Sequence, residues 1–530
     1  MKLKELHINN FKFFPKQDAK SPLLKIDEKN LLIYGENGSG KSTIYWALYT
    51  LLESSFKDSD DKVEKYFVKG GESGLVNIQA PKKDKAFIKA VLSGGAASKE
   101  YLVSGDSATI QAIRANSSAR ESGMSSDFIN YRVLFKLHHA KHTSDNNLFD
   151  WFEDEILPYV RKTVGASTFS QRIALLKNGP SPVKNIEGEW VFPNPSMALE
   201  TNESIREAVR KDYKFYRSWE RSIKSWGKDV KGFLKVTNDR ANQILQNDFK
   251  QSLVITLELT TPKYNILSTP IISDGDLTNL NWKEPEIRIK VVKYLCKKNV
   301  VKRAHSFLNE AKWTAIGLSI RLAILEDITY RPSPVDLKCL VLDDMLLSLD
   351  MSNRDIVLDL LLKRYVVDYQ LLLMTHDKFF FELAQYKINQ LRQTNWKFLE
   401  MFDQNDKPLI IEATSKIKKA WTLFYSKDLD LAANTLRKAA EKLCKAYLTR
   451  QERLNVDYTP MILHNMLLAL QTKGLANGLD AATLSRLIEY KDRILNPNSH
   501  YDIETPLFET ELENAIRAFE KISIDTGIVI

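Results

Sequence analysis

Between an apolar run, Asn30-Leu-Leu-Ile-Tyr34, and a stretch of helical character from Lys41 to about Glu53 lies Gly35-Glu-Asn-Gly-Ser-Gly-Lys41-Ser42. The segment fits the pattern G-x-x-x-x-G-K-[ST] in its required setting, a strand before it and a helix after it. Glycines at these positions let backbone N–H groups turn inward around phosphate oxygens, and the following helix adds the positive end of its dipole. Lys41 has the reach for β and γ phosphates, and the Ser42 hydroxyl is a ligand for Mg²⁺. The expected nucleotide-binding set is Gly35, Asn37, Gly38, Ser39, Gly40, Lys41, Ser42 and Thr43. ATP and Mg²⁺ are the expected cofactors.

A second apolar run, Leu340-Val-Leu, ends in two acids, Asp343 and Asp344. A carboxylate at the end of a buried strand beside a phosphate loop is placed to hold Mg²⁺, the role expected of Asp343. Asp344 follows where a water-orienting residue is needed. A helix is expected from about Asn309 to Asp327 and another buried strand over Tyr369–Thr375. Strands alternating with helices around buried strands predict an α/β fold with a mostly parallel sheet.

The chain of 530 residues exceeds what one hydrophobic core accommodates, so two or three domains are expected. No run of roughly 18 apolar residues occurs, which excludes an apolar membrane-spanning helix. Cys296, Cys339 and Cys444 are too far apart to make a zinc site or a disulfide framework, and a reducing cytoplasm is expected. The net charge of +9 favours polyanionic partners, tRNA or DNA among them.

From Ser54 to about Ser126 the chain is polar and weakly periodic and reads as short strands and loops. A helical block is expected around Leu148 to Val160. Residues 196–250 carry apolar positions at helical spacing and predict a helical hairpin or short arm. Leu253–Thr260 and Glu286–Tyr294 alternate with period two and read as strands. After about Ile411 strand patterns stop and four or five amphipathic helical stretches follow. These readings divide the chain into residues 1–411, with the arm at about 195–250, and an all-helical part, 412–530.

The run LVLDDMLLSLDMSNR, followed by LLLMTHD, resembles the Walker B strand, D-loop and switch histidine of ABC-type ATPases, with the SMC/RecF-like branch the best likeness. Tyr131-Arg-Val-Leu-Phe and Asn147-Leu-Phe-Asp also resemble segments of these proteins. The resemblance implies an ABC-type P-loop ATPase head with a short helical insertion. It assigns Asp350 to the D-loop and makes His376 the sensor of the γ-phosphate. It also implies homodimers or higher oligomers joined through ATP-bound heads. Two departures stand out. The signature motif appears as Leu308-Asn309-Glu310-Ala311-Lys312, where Asn309 keeps a hydrogen-bonding side chain but Ala311 adds a Cβ where the family has glycine. Asp344 replaces the usual glutamate and is one methylene shorter. Both predict slow hydrolysis, the behaviour of a nucleotide-gated switch.

In the helical part, Arg437 and Glu441 are four residues apart and share a helix face. Downstream the sequence breaks at Asn496-Pro497 and presents His500. Arg437 and Arg493 as cations, Glu441 and His500 as proton carriers, form a set suited to metal-independent RNA transesterification. The set resembles HEPN-type ribonuclease domains and the PrrC and RloC anticodon nucleases, in which an ABC ATPase precedes a helical RNase domain. Read without that resemblance, Arg437–Glu441 is a solvated salt bridge and His500 caps a turn. The chain also resembles Septu-type and retron-associated ATPases, which implies a defence complex with a separate nuclease or regulatory subunit. Repair in the manner of RecF leaves the helical part unexplained. His138, His139 and His142 cluster near Asp145 and offer a weak metal site, whereas His7, His305 and His464 show no metal spacing. No membrane partner is expected.

Overall fold

A computed structural model of the chain describes residues 1–16, 23–81, 85–94, 97–138, 147–177, 183–184, 190–191, 203–266, 272–273, 276–277, 280–294, 308–327, 329–331, 337–345, 349, 351–403, 407–413, 415–495 and 509–528. In chain order, β1 (Lys2–Asn9) and β2 (Asn30–Gly35) precede α1 (Lys41–Glu53). The hairpin β3 (Phe87–Gly94) and β4 (Ala97–Ser104) leads to α2 (Ser107–Ala115) and α3 (Ser117–Ser125). Then come β5 (Asp127–Asn130), α4 (Tyr131–His138), α5 (Phe149–Glu155) and the long α6 (Glu203–Gln243). Strands β6 (Leu253–Thr260) and β7 (Glu286–Tyr294) precede α7 (Glu310–Leu325), β8 (Cys339–Asp343) and β9 (Gln370–Thr375). Helix α8 (Lys378–Gln390), β10 (Trp396–Asp403) and β11 (Pro408–Glu412) follow. The last stretch holds α9 (Lys416–Tyr425), α10 (Leu429–Tyr447), α11 (Leu463–Ala476), α12 (Ala481–Tyr490) and α13 (Glu509–Thr526).

These elements fall into two compact units, one of Met1–Glu28 with Ser42–Leu372, the other of Lys29–Lys41 with Leu373–Ile530. In the first unit β3 pairs antiparallel with both β1 and β4, and β6 pairs antiparallel with β7. Strand β8 runs parallel to β5, with Asp343 opposite Asn130. All five residues of β8 are buried, which is why its sequence is a continuous apolar run rather than an alternation. Helix α7 is buried from Trp313 to Leu325.

Two readings of the sequence need correction. The Ser54–Ser126 segment contains helices α2 and α3 besides its strands. Asn116 caps α3 by accepting from Ala119 N–H, so a residue type that reads as loop is here a helix start. Of the two forms read for residues 196–250, a helical hairpin or a short arm, the hairpin gives way to one continuous helix of 41 residues, about 60 Å long at 1.5 Å per residue. Its C-terminal half is anchored: Trp226 Nε1 donates to Phe169 O at 3.0 Å, and the Asn242 amide exchanges two 2.8 Å hydrogen bonds with the backbone of Ile255 in β6.

In the second unit β2 pairs in parallel with β10, from Asn30 opposite Trp396 to Gly35 opposite Met401, and β11 adds antiparallel to β10. Five helices then share a core that includes Leu436, Leu443, Leu467, Leu484, Ile516 and Phe519. Ser415, Asp428 and Asp480 cap α9, α10 and α12 by accepting backbone N–H groups. Lys427, Tyr458 and Gly478 take positive φ at the turns between helices. The fold is an α/β P-loop head with mixed sheets and a helical C-terminal region.

Candidate functional site

The phosphate loop is built on β2. Gly38 and Gly40 stand at φ of 91° and 97°, a region open to glycine and strained for other residues. Gly35 is required for a different reason: a Cβ there would lie 2.5 Å from Ser39 Oγ and 2.8 Å from the Met401 carbonyl oxygen. Strand β10 thus presses its backbone against the first residue of the loop. Ser39 N–H donates to Glu36 O at 3.2 Å, closing the turn. Lys41 is 4% exposed, and its ammonium donates to Gly35 O at 2.5 Å and Glu36 O at 3.0 Å. Ser39 is buried and its Oγ has no hydrogen-bond partner. A lysine held over two carbonyls, two left-handed glycines and an unsatisfied buried hydroxyl fit a phosphate chain. Asn37 and Gly38 are exposed at the tip; Ser42 is exposed and Thr43 buried in the first turn of α1.

The acids lie in the first unit. Asp343 ends β8 and is 6% exposed. Asp344 follows at φ 49°, a left-handed conformation that turns the chain sharply at the end of the strand. Beside Asp343, Asn130 is buried and accepts Val133 N–H at 3.0 Å, capping α4. Asn309 caps α7: its side chain accepts Lys312 N–H at 3.1 Å. The expected phosphate contact from Asn309 therefore competes with a helix cap, while Glu310 and Asn309 are exposed. In the second unit His376 is half-buried after β9, and Asp377 accepts N–H from Phe379 and Phe380 to start α8. Asp350 and His500 lie outside the described residues, as do His139 and His142. Among the described residues no group of three or more His, Cys, Asp or Glu could hold a metal ion.

In the helical region Arg437 and Glu441 meet, with Nε and Oε1 3.5 Å apart. Arg437 Nη1 also donates to Leu495 O at 3.1 Å, which the sequence did not signal. Arg493 reaches Glu511 of α13 at 3.2 Å and is 71% exposed.

Sequence reasoning also missed a buried ion pair between Arg321 of α7 and Asp127 of β5. Arg321 further donates to Glu155 O at 2.6 Å. Burial works against the guanidinium charge, but Asp127 and Glu155 outweigh it and leave its pKa above the ordinary value. Only the bare presence of an arginine in an otherwise apolar helix, LSIRLAIL, could have flagged it.

A family model described as an AAA domain matches residues 5–300. No curated protein matches the chain. Solved structures with a similar course include the Smc head domain of Pyrococcus furiosus, with an extended coiled coil and bound to the C-terminal domain of ScpA. It is 13% identical, covering 81% of this chain and 99% of that one at a TM-score of 0.39. The SMC head domain from Thermotoga maritima is 15% identical, with coverages of 78% and 99% and a TM-score of 0.32. The recombination mediator protein RecF with ATP is 14% identical, with coverages of 78% and 98% and a TM-score of 0.35.

Proposed function

The chain belongs to the AAA-domain family whose model spans its residues 5–300, and on that premise we propose that it binds and slowly hydrolyses ATP as an SMC/RecF-type switch. The loop carries this reading, above all Lys41 with its two carbonyl acceptors beside the unsatisfied Ser39 hydroxyl. On binding, Lys41 exchanges Gly35 O and Glu36 O for phosphate oxygens, and the loop N–H groups and Ser39 Oγ donate to the phosphate chain. Ser42 and Asp343 would hold Mg²⁺, which would supply positive charge to neutralise the phosphates. Asp344 orients the attacking water, and His376 and Asp350 respond to the γ-phosphate. Hydrolysis rates of wild-type, Lys41→Ala and Asp344→Asn protein test this. Unchanged turnover in Lys41→Ala would overturn it.

The output we propose is RNA cleavage by the helical region, residues 412–530, gated by the head, residues 1–411, in a cytoplasmic defence protein acting on tRNA. Arg437 supports it, because it grips the Leu495 carbonyl at the start of the segment that leads to His500. Arg437 and Arg493 would neutralise phosphate, and Glu441 and His500 would move protons. Incubation of the purified chain with total tRNA, with and without ATP, Mg²⁺ and EDTA, is the test. EDTA-resistant fragments ending in cyclic phosphate, lost in His500→Ala, are expected. Intact RNA throughout favours the second reading, an ATPase subunit whose helical region docks a separate nuclease.

A further inference from the structure

Within the second unit a cleft of about 730 Å³ opens between α8 and α10. Its two walls differ in chemistry. On α10, Lys438, Lys442 and Lys445 follow at i, i+4 and i+7 and line one face, joined by Lys416 at the start of α9. On α8, Phe379, Leu383 and Tyr386 line the facing wall at the same kind of spacing, with Glu382 among them. Phe379 is 65% exposed and Tyr386 40%, unusual for aromatic rings on a helix packed into a core-bearing unit.

A lysine face is ordinarily a solvated face whose charges find acidic neighbours. Elsewhere in the helical region that is so: Lys427 pairs with Glu509, Lys473 with Glu452 and Lys521 with Asp480. None of the four cleft lysines makes an ion pair or hydrogen bond with a side chain of the described residues. Of the two lining carboxylates, Glu441 is engaged by Arg437. Lys442 shows the consequence. Burial, opposed by Glu382 and reinforced by Lys416 and Lys378, holds its pKa below the ordinary value. The cleft is therefore short of negative charge along one wall and of apolar cover along the other.

We propose that this cleft is a second nucleotide site, distinct from the phosphate loop, that takes a nucleoside phosphate with its base against Phe379 and Tyr386 and its phosphates on Lys416, Lys438, Lys442 and Lys445. The volume suits one small ligand, within the roughly 300–1,000 Å³ of such pockets. Glu382 is placed to accept from ribose hydroxyls or a base amino group. Helix α8 starts directly after His376 and Asp377, so the aromatic wall continues the segment assigned to γ-phosphate sensing. A ligand here would bear on that segment through one rigid helix.

Equilibrium dialysis of the full chain against the four ribonucleoside triphosphates tests this. Wild type should bind two nucleotides per chain and Lys41→Ala one. In the Lys41→Ala background, Lys438→Glu with Lys445→Glu should weaken the remaining site by about tenfold or more, the loss of one charge-assisted contact at least. Both lysines are exposed, so an unchanged thermal melt should accompany the loss; Lys442→Met gives a second variant without charge reversal. One nucleotide in wild type and none in Lys41→Ala overturns the proposal, as does remaining binding that ignores the charge reversals. A cleft that refuses nucleotides but binds a short single-stranded RNA through these lysines also overturns it. One nucleotide in both proteins, lost on charge reversal, leaves this site standing and removes the phosphate loop instead.

Discussion

Arg321 and Asp127, 194 residues apart in sequence, are joined side chain to side chain inside the first unit, with Nε 3.2 Å from Oδ2 and a second, shorter contact from Nη2 to Oδ1. The pair fixes α7 to β5, the strand that runs beside the Asp343 strand. Removing one partner strands a charge where water does not reach. Arg321→Met should destabilise the protein by about 3–5 kcal/mol, read as a lower urea midpoint. Arg321→Met with Asp127→Leu should recover much of that loss. No recovery in the double variant would mean the hydrogen bond to Glu155 O matters more than the ion pair.

Gly35 is held by contact rather than by φ. Gly35→Ala should cost about 1–3 kcal/mol, because Ser39 Oγ and the Met401 backbone must both give way. Nucleotide affinity should fall with it, measured by titration with a fluorescent ATP analogue. Gly38→Ala meets no atom within 4 Å and acts only through its backbone angle.

Asp344→Asn keeps a residue tolerant of the left-handed conformation and removes the charge. ATP turnover should drop by roughly 10²-fold, the lower end of general acid–base contributions, with ATP binding unchanged. Asp344→Ala should lose the same turnover and also some stability, since alanine resists φ 49°. Equal turnover in Asp344→Asn and wild type would remove Asp344 from the reaction.

Asp480 ties α12 to α13 through its ionised carboxylate. Its carboxylate accepts from the Thr483 hydroxyl, from Thr483 N–H at 3.0 Å and from Lys521 at 3.1 Å. The Thr483 hydroxyl first, then Lys521, lower its pKa from 3.8 to about 2. A depressed acid stabilises the fold fully above its unfolded value and loses that contribution as pH falls through the folded one. The stability gap between wild type and Asp480→Asn should therefore persist at pH 5 and close as pH drops from about 4 to 2. Thermal melts of both proteins across that range check it.

What was legible in the sequence was local. The phosphate loop and its helix, Lys41–Glu53, announce themselves because strand, glycines and lysine must be contiguous to work. Strands Leu253–Thr260 and Glu286–Tyr294 were readable to the residue because each buries one face and so alternates. Helices α2 and α3 were hidden because serine and asparagine favour caps and turns, and nine-residue helices leave little room for periodicity. Residues 196–250 left a hairpin and a short arm both open because helical spacing says nothing about whether a chain turns back. The Arg321–Asp127 pair and the grip of Arg437 on Leu495 are contacts between distant segments, and one sequence contains no trace of such partners.

The pairing of β2 with β10 joins Asn30 to Trp396 across 366 positions of chain (396 − 30). During synthesis the strand that carries the phosphate loop emerges early and then waits. At about 5–20 residues per second, its partner leaves the ribosome roughly 20 to 70 seconds later. Until then the Met401 carbonyl that seats Gly35 does not exist, and β2 has an open edge of apolar residues. A nascent chain therefore carries its ATP motif long before it has an ATP site, and a message cut short before residue 396 yields a chain that cannot form one.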